Sequence, residues 1–249
     1  MLASNRSRLR ATNLVMGAIH AAQAAAVLWL SNDFTTPVTA TYLTGPPGSQ
    51  SGEPKVLFDL PFAEGVAGFL ALSALFHWLI VSPPFFDRYL RGLDEGRNHF
   101  RWVEYSLSSS LMIVLIAALT GITDAAALTA LFGVNAAMIF FGAIQEKYEQ
   151  PGGSLTPFWL GCIVGVVPWV AIGIYLLSPG SSAEPPGFVY AIYVSLFVFF
   201  NVFALNQWLQ YREVGRWRNY LYGESAYIVL SLVAKSLLAW QVFGGTLAA

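Results

Sequence analysis

Charged side chains are scarce in this chain. Asp, Glu, Lys and Arg make up 11% of its 249 residues, and hydrophobic residues make up 56%. An average soluble domain has about 25% charged residues, so the low charge and the mean hydropathy of +0.57 indicate that a bilayer is the solvent. The formal net charge is −1, and no basic run or stacking motif is present, which argues against nucleic acid as a partner.

Cysteine is almost absent. Cys162 is the single cysteine and lies in an apolar segment, which excludes a disulfide within the chain and a zinc site built from thiolates. The sequence shows no internal repeat, which argues against a transporter built from inverted repeats. The N-terminus carries three arginines, but the apolar segment there is long and lacks a small-residue cleavage site. We therefore expect a retained first helix and not a removed signal peptide.

Seven apolar stretches of about 20 residues are each long enough to cross a hydrocarbon core of about 30 Å. They run from Arg10 to Leu30, Pro61 to Val81, Phe100 to Thr120, Ala125 to Ile144, Phe158 to Leu177, Gly187 to Leu209 and Tyr220 to Phe243. Turn-forming residues separate several of them, at 82–84, 121–124, 150–156 and 179–186. The sequence therefore predicts an all-α integral membrane protein with seven transmembrane helices in a single domain, residues 1–249.

The connection between the first two stretches, Ser31 to Leu60, is long and rich in Gly, Pro, Ser and Thr. β-Branched and aromatic residues concentrate at Val38 to Tyr42 and at Val56 to Phe58, with a turn-like segment from Gly45 to Gly52 between them. This pattern predicts a small β-hairpin outside the membrane.

Lys235 is the only basic residue in the last apolar stretch. An unpaired charged amine in hydrocarbon is costly, and Lys235 lies too deep in its helix to reach an interface easily. A lysine among apolar and aromatic side chains is suited to form a Schiff base with an aldehyde, and a nearby carboxylate would keep that imine protonated. Glu104, the only acid well inside the third stretch, is the candidate carboxylate. The alternative is that Glu104 forms a surface pair with Arg97 or Arg101.

His20 and His77 are both expected inside the membrane, with Gln23 close to the first. Two imidazoles in hydrocarbon favour a polar, hydrated cluster that can accept a proton. No cysteine or acidic cluster accompanies them, so we expect no metal site.

A lysine in the last of seven helices is shared by retinal proteins, and this sequence closely resembles the heliorhodopsins. The resemblance is carried by SALFHW (Ser73 to Trp78), FRWVEYSLSSS (Phe100 to Ser110), FGVNAAMIFFG (Phe132 to Gly142), QEKYEQP (Gln145 to Pro151), YIVLSLVAKSLLAWQ (Tyr227 to Gln241) and, in the first loop, TYLTGPPG (Thr41 to Gly48). It covers nearly the whole chain. It implies that Lys235 binds retinal, expected as the all-trans isomer, and that Glu104 is the counterion.

The resemblance also implies the surroundings of the chromophore. The retinal pocket would be lined by Tyr105, Met138, Ile139, Trp159, Phe200 and Gln207, with Trp169 as a competitor of Trp159. A cytoplasm-facing polar cavity would contain Asn98, Tyr105 and Glu224 together with the two histidines. By spacing, Ser108 lies one turn beyond Glu104 and Ser231 one turn before Lys235, so both hydroxyls can reach the imine. For Ser108, a bond to its own helix backbone is an equal alternative.

Proton-pumping relatives usually carry a second carboxylate at the position of Ser231 and a proton donor at that of Leu115, and neither acid is present here. We therefore expect a photosensory or signalling protein, neither a pump nor an enzyme. Light would isomerise retinal, the imine would move relative to Glu104, a proton would pass to the polar cluster, and the cytoplasmic face would change conformation.

Several alternatives to a sensor stay open. They are a light-gated ion channel, a light-dependent regulator of a membrane or cytoplasmic enzyme, and a light-independent protein that binds retinal or lipid. The basic inner loops offer a surface to a cytoplasmic signalling partner, although the positive-inside rule also explains them. The resemblance further implies a homodimer, formed through the long first loop and the fourth and fifth membrane helices.

Basic residues indicate the orientation, because short loops with Lys and Arg stay on the cytoplasmic side. Eleven fall on one side, namely Arg6, Arg8, Arg10, Arg88, Arg91, Arg97, Arg101, Lys147, Arg212, Arg216 and Arg218, and Lys55 alone falls on the other. The sequence therefore predicts a multi-pass protein of the cell membrane with a cytoplasmic N-terminus and an extracellular C-terminus.

A pair of C-terminal fusions tests this orientation. In a bacterial host, alkaline phosphatase fused to the C-terminus should be active, since that enzyme matures only outside the cytoplasm. Green fluorescent protein fused at the same site should be dark. A fluorescent fusion with inactive phosphatase would show a cytoplasmic C-terminus and contradict the prediction.

Overall fold

The computed structural model of the chain describes residues 2–177, 182 and 184–248. Within these residues it forms α1 (Leu2–Leu30), β1 (Thr35–Ala40), β2 (Lys55–Pro61), α2 (Phe62–Val81), α3 (Phe85–Asp94), α4 (His99–Leu119), α5 (Ala125–Tyr148), α6 (Thr156–Leu177), α7 (Gly187–Tyr211) and α8 (Tyr220–Val242). Every helix except α3 is long and apolar enough to cross a membrane, which confirms the seven predicted spans. The turn predicted at 179–186 lies partly outside the described residues.

Short polar side chains start three of the membrane helices. Asn98, Asp124 and Asn219 precede α4, α5 and α8, and the side chain of each accepts a hydrogen bond from a backbone N–H two or three residues further on. These bonds satisfy N–H groups that have no partner within the first helical turn. Helix α5 continues to Tyr148, four residues past its predicted end at Ile144, and therefore includes Glu146.

Helix α3 is an amphipathic helix that the sequence prediction left in a loop. Its buried residues follow the spacing of one helix face, at Phe86, Tyr89, Leu90 and Leu93. They pack with residues from the ends of α1 and α2 in a small apolar cluster. Burial raises the pKa of the Tyr89 hydroxyl above its usual value, so this phenol stays protonated.

The predicted hairpin is confirmed. Strands β1 and β2 pair antiparallel, with Val38 opposite Phe58 and Thr39 opposite Val56, so Leu57 is the extra residue of a β-bulge. The first strand begins and ends earlier than the predicted Val38 to Tyr42. The hairpin is attached to the loop between α4 and α5, because the Thr39 N–H donates to the Thr123 carbonyl at 2.8 Å.

The two halves of the helix bundle differ in character. Towards the hairpin end, the core is packed with apolar side chains that include Val66, Leu70, Leu115, Leu238 and Val242. The described buried ionic side chains are His20, Arg101, Glu104, Glu146, Glu224 and Lys235. They lie at mid-height or towards the end that carries the arginine-rich loops, which we call the arginine end. The candidate functional site lies among these buried polar residues.

Candidate functional site

Lys235 is buried in α8 with acceptors for its amine. Its Nζ donates to Glu104 Oε1 at 2.7 Å and to Ser231 Oγ at 3.0 Å, and it lies 5.2 Å from the centre of the Tyr105 ring. Only 3% of the residue is exposed. A buried charge is tolerated when it is paired and hydrogen-bonded, and this amine is both.

Glu104 reaches Lys235 from α4, where the carboxylate also accepts a hydrogen bond from Ser73 Oγ at 2.7 Å. The backbone of Glu104 lies nearer the arginine end than that of Lys235. A lysine side chain in a helix points back towards the helix N-terminus, which in α8 lies at the arginine end, so the two groups can meet. The alternative pairing of Glu104 with Arg97 or Arg101 is wrong, since both arginines pair with other carboxylates.

An apolar cavity of about 120 Å³ begins at Lys235 and reaches α6. Its wall consists of Trp102, Tyr105, Ser108, Ser109, Met112, Met138, Ile139, Gly142, Phe158, Gly161, Cys162, Phe200, Phe203, Ala204, Gln207, Tyr227, Ser231, Ala234 and Lys235. Apolar and aromatic side chains with a few polar groups are typical of small-molecule pockets. Five predicted pocket residues, Tyr105, Met138, Ile139, Phe200 and Gln207, lie on this wall.

The prediction that Trp159 lines the pocket is wrong. Its side chain is 53% exposed on the outside of the bundle, while the preceding residue, Phe158, lies on the cavity wall. Neighbouring positions of a helix point about 100° apart, so a shift of one residue moves a side chain from core to surface. Trp169 is buried and packs edge-on against Phe200 at 5.3 Å, which places it behind the wall.

Ser108 contributes an unusual polar atom to this wall. The residue is fully buried, and its Oγ has no hydrogen-bond partner among the described residues. The alternative of a bond to its own helix backbone is therefore not seen. Buried hydroxyls nearly always have a partner, so an unpaired one in a cavity wall indicates a place for a polar atom of a bound molecule.

A smaller polar cavity of about 40 Å³ lies on the arginine side of the Lys235–Glu104 pair. Its wall consists of Asn13, Ser73, Phe76, His77, Ile80, Asn98, Phe100, Arg101, Glu104, Tyr105, Glu224, Ile228 and Ser231. The predicted members His77, Asn98, Tyr105 and Glu224 are among these residues. The cavity is large enough to hold water and has several polar groups to bind it.

The two histidines meet beside this cavity. Their rings stack with centroids 5.7 Å apart, and His77 Nδ1 lies 2.8 Å from Asn13 Oδ1. His20 is fully buried behind His77, with no partner for its ring nitrogens among the described residues. The placement of Gln23 in this cluster is wrong, because its side chain accepts a hydrogen bond from Trp240 at 3.0 Å at the outer surface of α1 and α8.

Arg101 is the centre of a buried ionic cluster that the sequence analysis missed. The sequence analysis counts it among the basic loop residues, but it lies in α4 and forms ion pairs with Glu146 and Glu224. Glu146 also accepts bonds from the Trp102 indole at 2.5 Å and the Asn98 N–H at 3.0 Å. Asn98 Nδ2 donates to Glu224 at 2.6 Å. The cluster closes the polar cavity at the arginine end.

The sequence contained partial signals for these missed residues. Arg101 and Glu146 lie in the stretches FRWVEYSLSSS and QEKYEQP, and Ser73 opens SALFHW. Glu146 lies beyond the predicted end of its helix, so it was not considered as a buried acid. Asn13 carries no such signal, since a lone asparagine in an apolar helix has many possible roles.

Comparisons with known proteins give matches over nearly the whole chain. A family model described as Heliorhodopsin matches residues 9–247. No match was found among curated proteins. The crystal structure of a light-driven proton pump from Leptosphaeria maculans is similar, with a TM-score of 0.63 over 97% of this chain and 95% of that chain. The sequence identity is 13%, so this likeness shows a shared fold alone.

Replacing Arg101 tests the buried cluster. Arg101→Gln should lower the free energy of unfolding by about 3–5 kcal/mol, because two buried carboxylates lose their cation. The matched control is Arg6→Gln, which removes the exposed pair between Arg6 and Asp87 and should cost less than about 1 kcal/mol. Thermal or denaturant unfolding of the purified variants measures both changes. Equal losses in the two variants would contradict a special role for the buried cluster.

Proposed function

Since the chain belongs to the heliorhodopsin family, we propose that it is a photosensory retinal protein and not an ion pump. The family and the fold support a retinal-binding rhodopsin that spans the membrane several times. In our proposal Lys235 holds retinal through a protonated Schiff base and Glu104 is the counterion. The observation that carries the proposal is the 2.7 Å contact between Lys235 Nζ and Glu104 Oε1 at the end of an apolar cavity.

The cavity suits retinal, which is an apolar polyene with an aldehyde at one end. The wall is mostly apolar, Lys235 supplies a primary amine at one end, and Ser108 adds an unpaired hydroxyl. When bound, retinal supplies absorption of visible light and isomerisation of a double bond. We expect the all-trans isomer, as the family resemblance implies.

Polar residues around Lys235 would hold a positive nitrogen in place. Glu104 supplies the negative charge, Ser73 fixes the Glu104 oxygen by donating to it at 2.7 Å, and Ser231 offers a second acceptor at 3.0 Å. An opposite charge and hydrogen bonds to the charged form both favour a protonated nitrogen. Tyr105 adds its aromatic face 5.2 Å away.

The proton released after light absorption would pass to the polar cavity. Glu104 and Ser231, which contact the Lys235 nitrogen, also line this cavity, so the path is short. We propose His77 and His20 as acceptors, with Asn98 and Glu224 as the polar surroundings. An imidazole ring can take up a proton on its unprotonated nitrogen, and both ring nitrogens of His20 have no partner among the described residues.

Two features support a sensor over a proton pump. A pump needs proton-binding groups on both sides of the chromophore, and the hairpin half of the core is apolar around Leu115, Leu238 and Val242. The described buried ionic side chains do not extend into that half. Ser231 and Leu115, at positions where pumping relatives usually carry acids, agree with this division.

Pigment formation tests the attachment site. All-trans retinal added to the purified apoprotein should produce a visible absorption band, and Lys235→Ala should produce none, because no imine can form. The double variant Lys55→Ala/Lys147→Ala, which removes the two other lysines, should keep the band. Glu104→Gln should form a pigment with a shifted band, because the positive nitrogen loses its counterion. A visible band in Lys235→Ala would reject the proposal.

Light-driven transport separates a sensor from its alternatives. Illuminated cells that contain the pigment, suspended without buffer, should show no more pH change than cells with Lys235→Ala. Whole-cell recordings should likewise show no photocurrent. A sustained pH change abolished by a protonophore would identify a pump, and a steady photocurrent would identify a light-gated channel.

A further inference from the structure

A groove of about 500 Å³ opens at the arginine end, outside the cavities described above. Its wall comes from the loop between α3 and α4, the loop between α5 and α6, the end of α7 and the start of α8. Four acidic and two basic residues line it, namely Asp94, Glu95, Glu146, Glu149, Arg97 and Arg218. The groove therefore has an excess of negative charge at an end where most loop charges are positive.

The two arginines of the groove each contact an oxygen atom of a residue in the same loop. Arg97 Nη2 lies 3.6 Å from Glu95, and Arg218 Nε donates to the Glu213 carbonyl at 3.0 Å. Glu149 Oε2 accepts a bond from the Ser154 N–H at 3.2 Å, which holds this carboxylate at the rim. With Glu95 paired to Arg97 and Glu146 paired to Arg101, the carboxylates of Asp94 and Glu149 face the single cation of Arg218, which leaves the groove with a net negative charge.

Aromatic side chains complete the wall. Tyr211, Trp217 and Tyr220 line the groove, and each donates a hydrogen bond that holds it in place, Tyr211 to the Gln145 carbonyl at 3.0 Å. Trp217 Nε1 donates to Asn206 Oδ1 at 2.7 Å, and Tyr220 donates to Glu146 at 3.0 Å. Carboxylates combined with fixed aromatic rings favour Lys and Arg side chains, through ion pairs and cation–π contacts.

We propose that this groove is the docking site for a basic segment of a protein on the side of the arginine-rich loops. Lys or Arg side chains of that segment pair with Asp94, Glu95 and Glu149. The volume of about 500 Å³ suits a few side chains and not a folded domain.

The groove is connected to the Lys235–Glu104 pair by a chain of contacts. Its floor contains Glu146, which pairs with Arg101, and Arg101 also pairs with Glu224 in the wall of the polar cavity. A change at the polar cavity can therefore alter the floor of the groove. This signalling consequence rests on the proposed sensory function, whereas docking itself does not.

Binding of fluorescent hexalysine to the holoprotein in phosphatidylcholine nanodiscs tests the groove in darkness. The triple variant Asp94→Asn/Glu95→Gln/Glu149→Gln should bind about tenfold more weakly, because three exposed ion pairs are lost. Glu213→Gln, a matched change of an exposed carboxylate at the same end but outside the groove wall, should bind as the unchanged protein does. Added salt should weaken binding to the unchanged protein.

Three results would overturn the proposal: undetectable hexalysine binding, equal losses in the triple variant and Glu213→Gln, or tighter binding of hexaglutamate than of hexalysine. The visible band of each variant reports that it is folded. If the triple variant lacks the band, the double variant Asp94→Asn/Glu95→Gln replaces it, since Glu149 then keeps its bond to Ser154. An unchanged affinity of that double variant would equally reject the groove.

The same assay under illumination separates docking from signalling. A change in hexalysine affinity with light would support the link between groove and chromophore. Equal affinities in light and darkness would contradict that link and leave the docking site in place. Failure to form a pigment would reject the proposed function, while binding to the dark apoprotein would still report on the groove.

Discussion

A charge pair enclosed in the bundle, between Lys235 and Glu104, places the strongest demand on the surrounding structure. Both groups lose the hydration of water, so each needs an opposite charge and hydrogen bonds at short range. Ser73 and Ser231 supply those bonds from α2 and α8, and Tyr105 covers the amine. Three helices, α2, α4 and α8, must therefore meet at this height with defined rotations. The apolar cavity and the polar cavity are the spaces that remain on either side of this junction.

A second charge cluster divides the polar interior from the surface at the arginine end. Arg101 contacts Glu146 on one side and Glu224 on the other, so it belongs to the buried ionic cluster and also to the wall of the polar cavity. Two carboxylates share one guanidinium, and neighbouring donors such as the Trp102 indole and Asn98 complete their hydrogen bonds. Burial of this many polar groups specifies one arrangement of α4, α5 and α8, because any rotation would leave a charge unpaired.

Hydropathy was sufficient to predict the seven spans and the hairpin, because hydrocarbon thickness and turn composition leave few alternatives. The pair of Lys235 with Glu104 could also be predicted, since depth in the helix and side-chain direction together bring the two groups to one height. The rotation of each helix about its own axis could not be predicted from the sequence. Apolar residues occupy every face of α6, so the sequence pattern does not decide whether Trp159 or Phe158 faces inward. The same holds for Gln23 in α1. Arg101 was misplaced because a helix start and a loop have similar charge composition.

Hydrogen bonds join the first loop to other segments of the hairpin end at two places. Thr39 joins the hairpin to the loop before α5, and the Asn32 N–H and side chain donate to the carbonyls of Leu247 and Thr246 at 2.9 Å and 3.0 Å. The first loop thus connects the ends of α1, α2, α4, α5 and α8 that lie at the hairpin end. Because these bonds restrain the helices at this end, a rigid tilt of one helix about it would displace the arginine end more than the region beside Lys235.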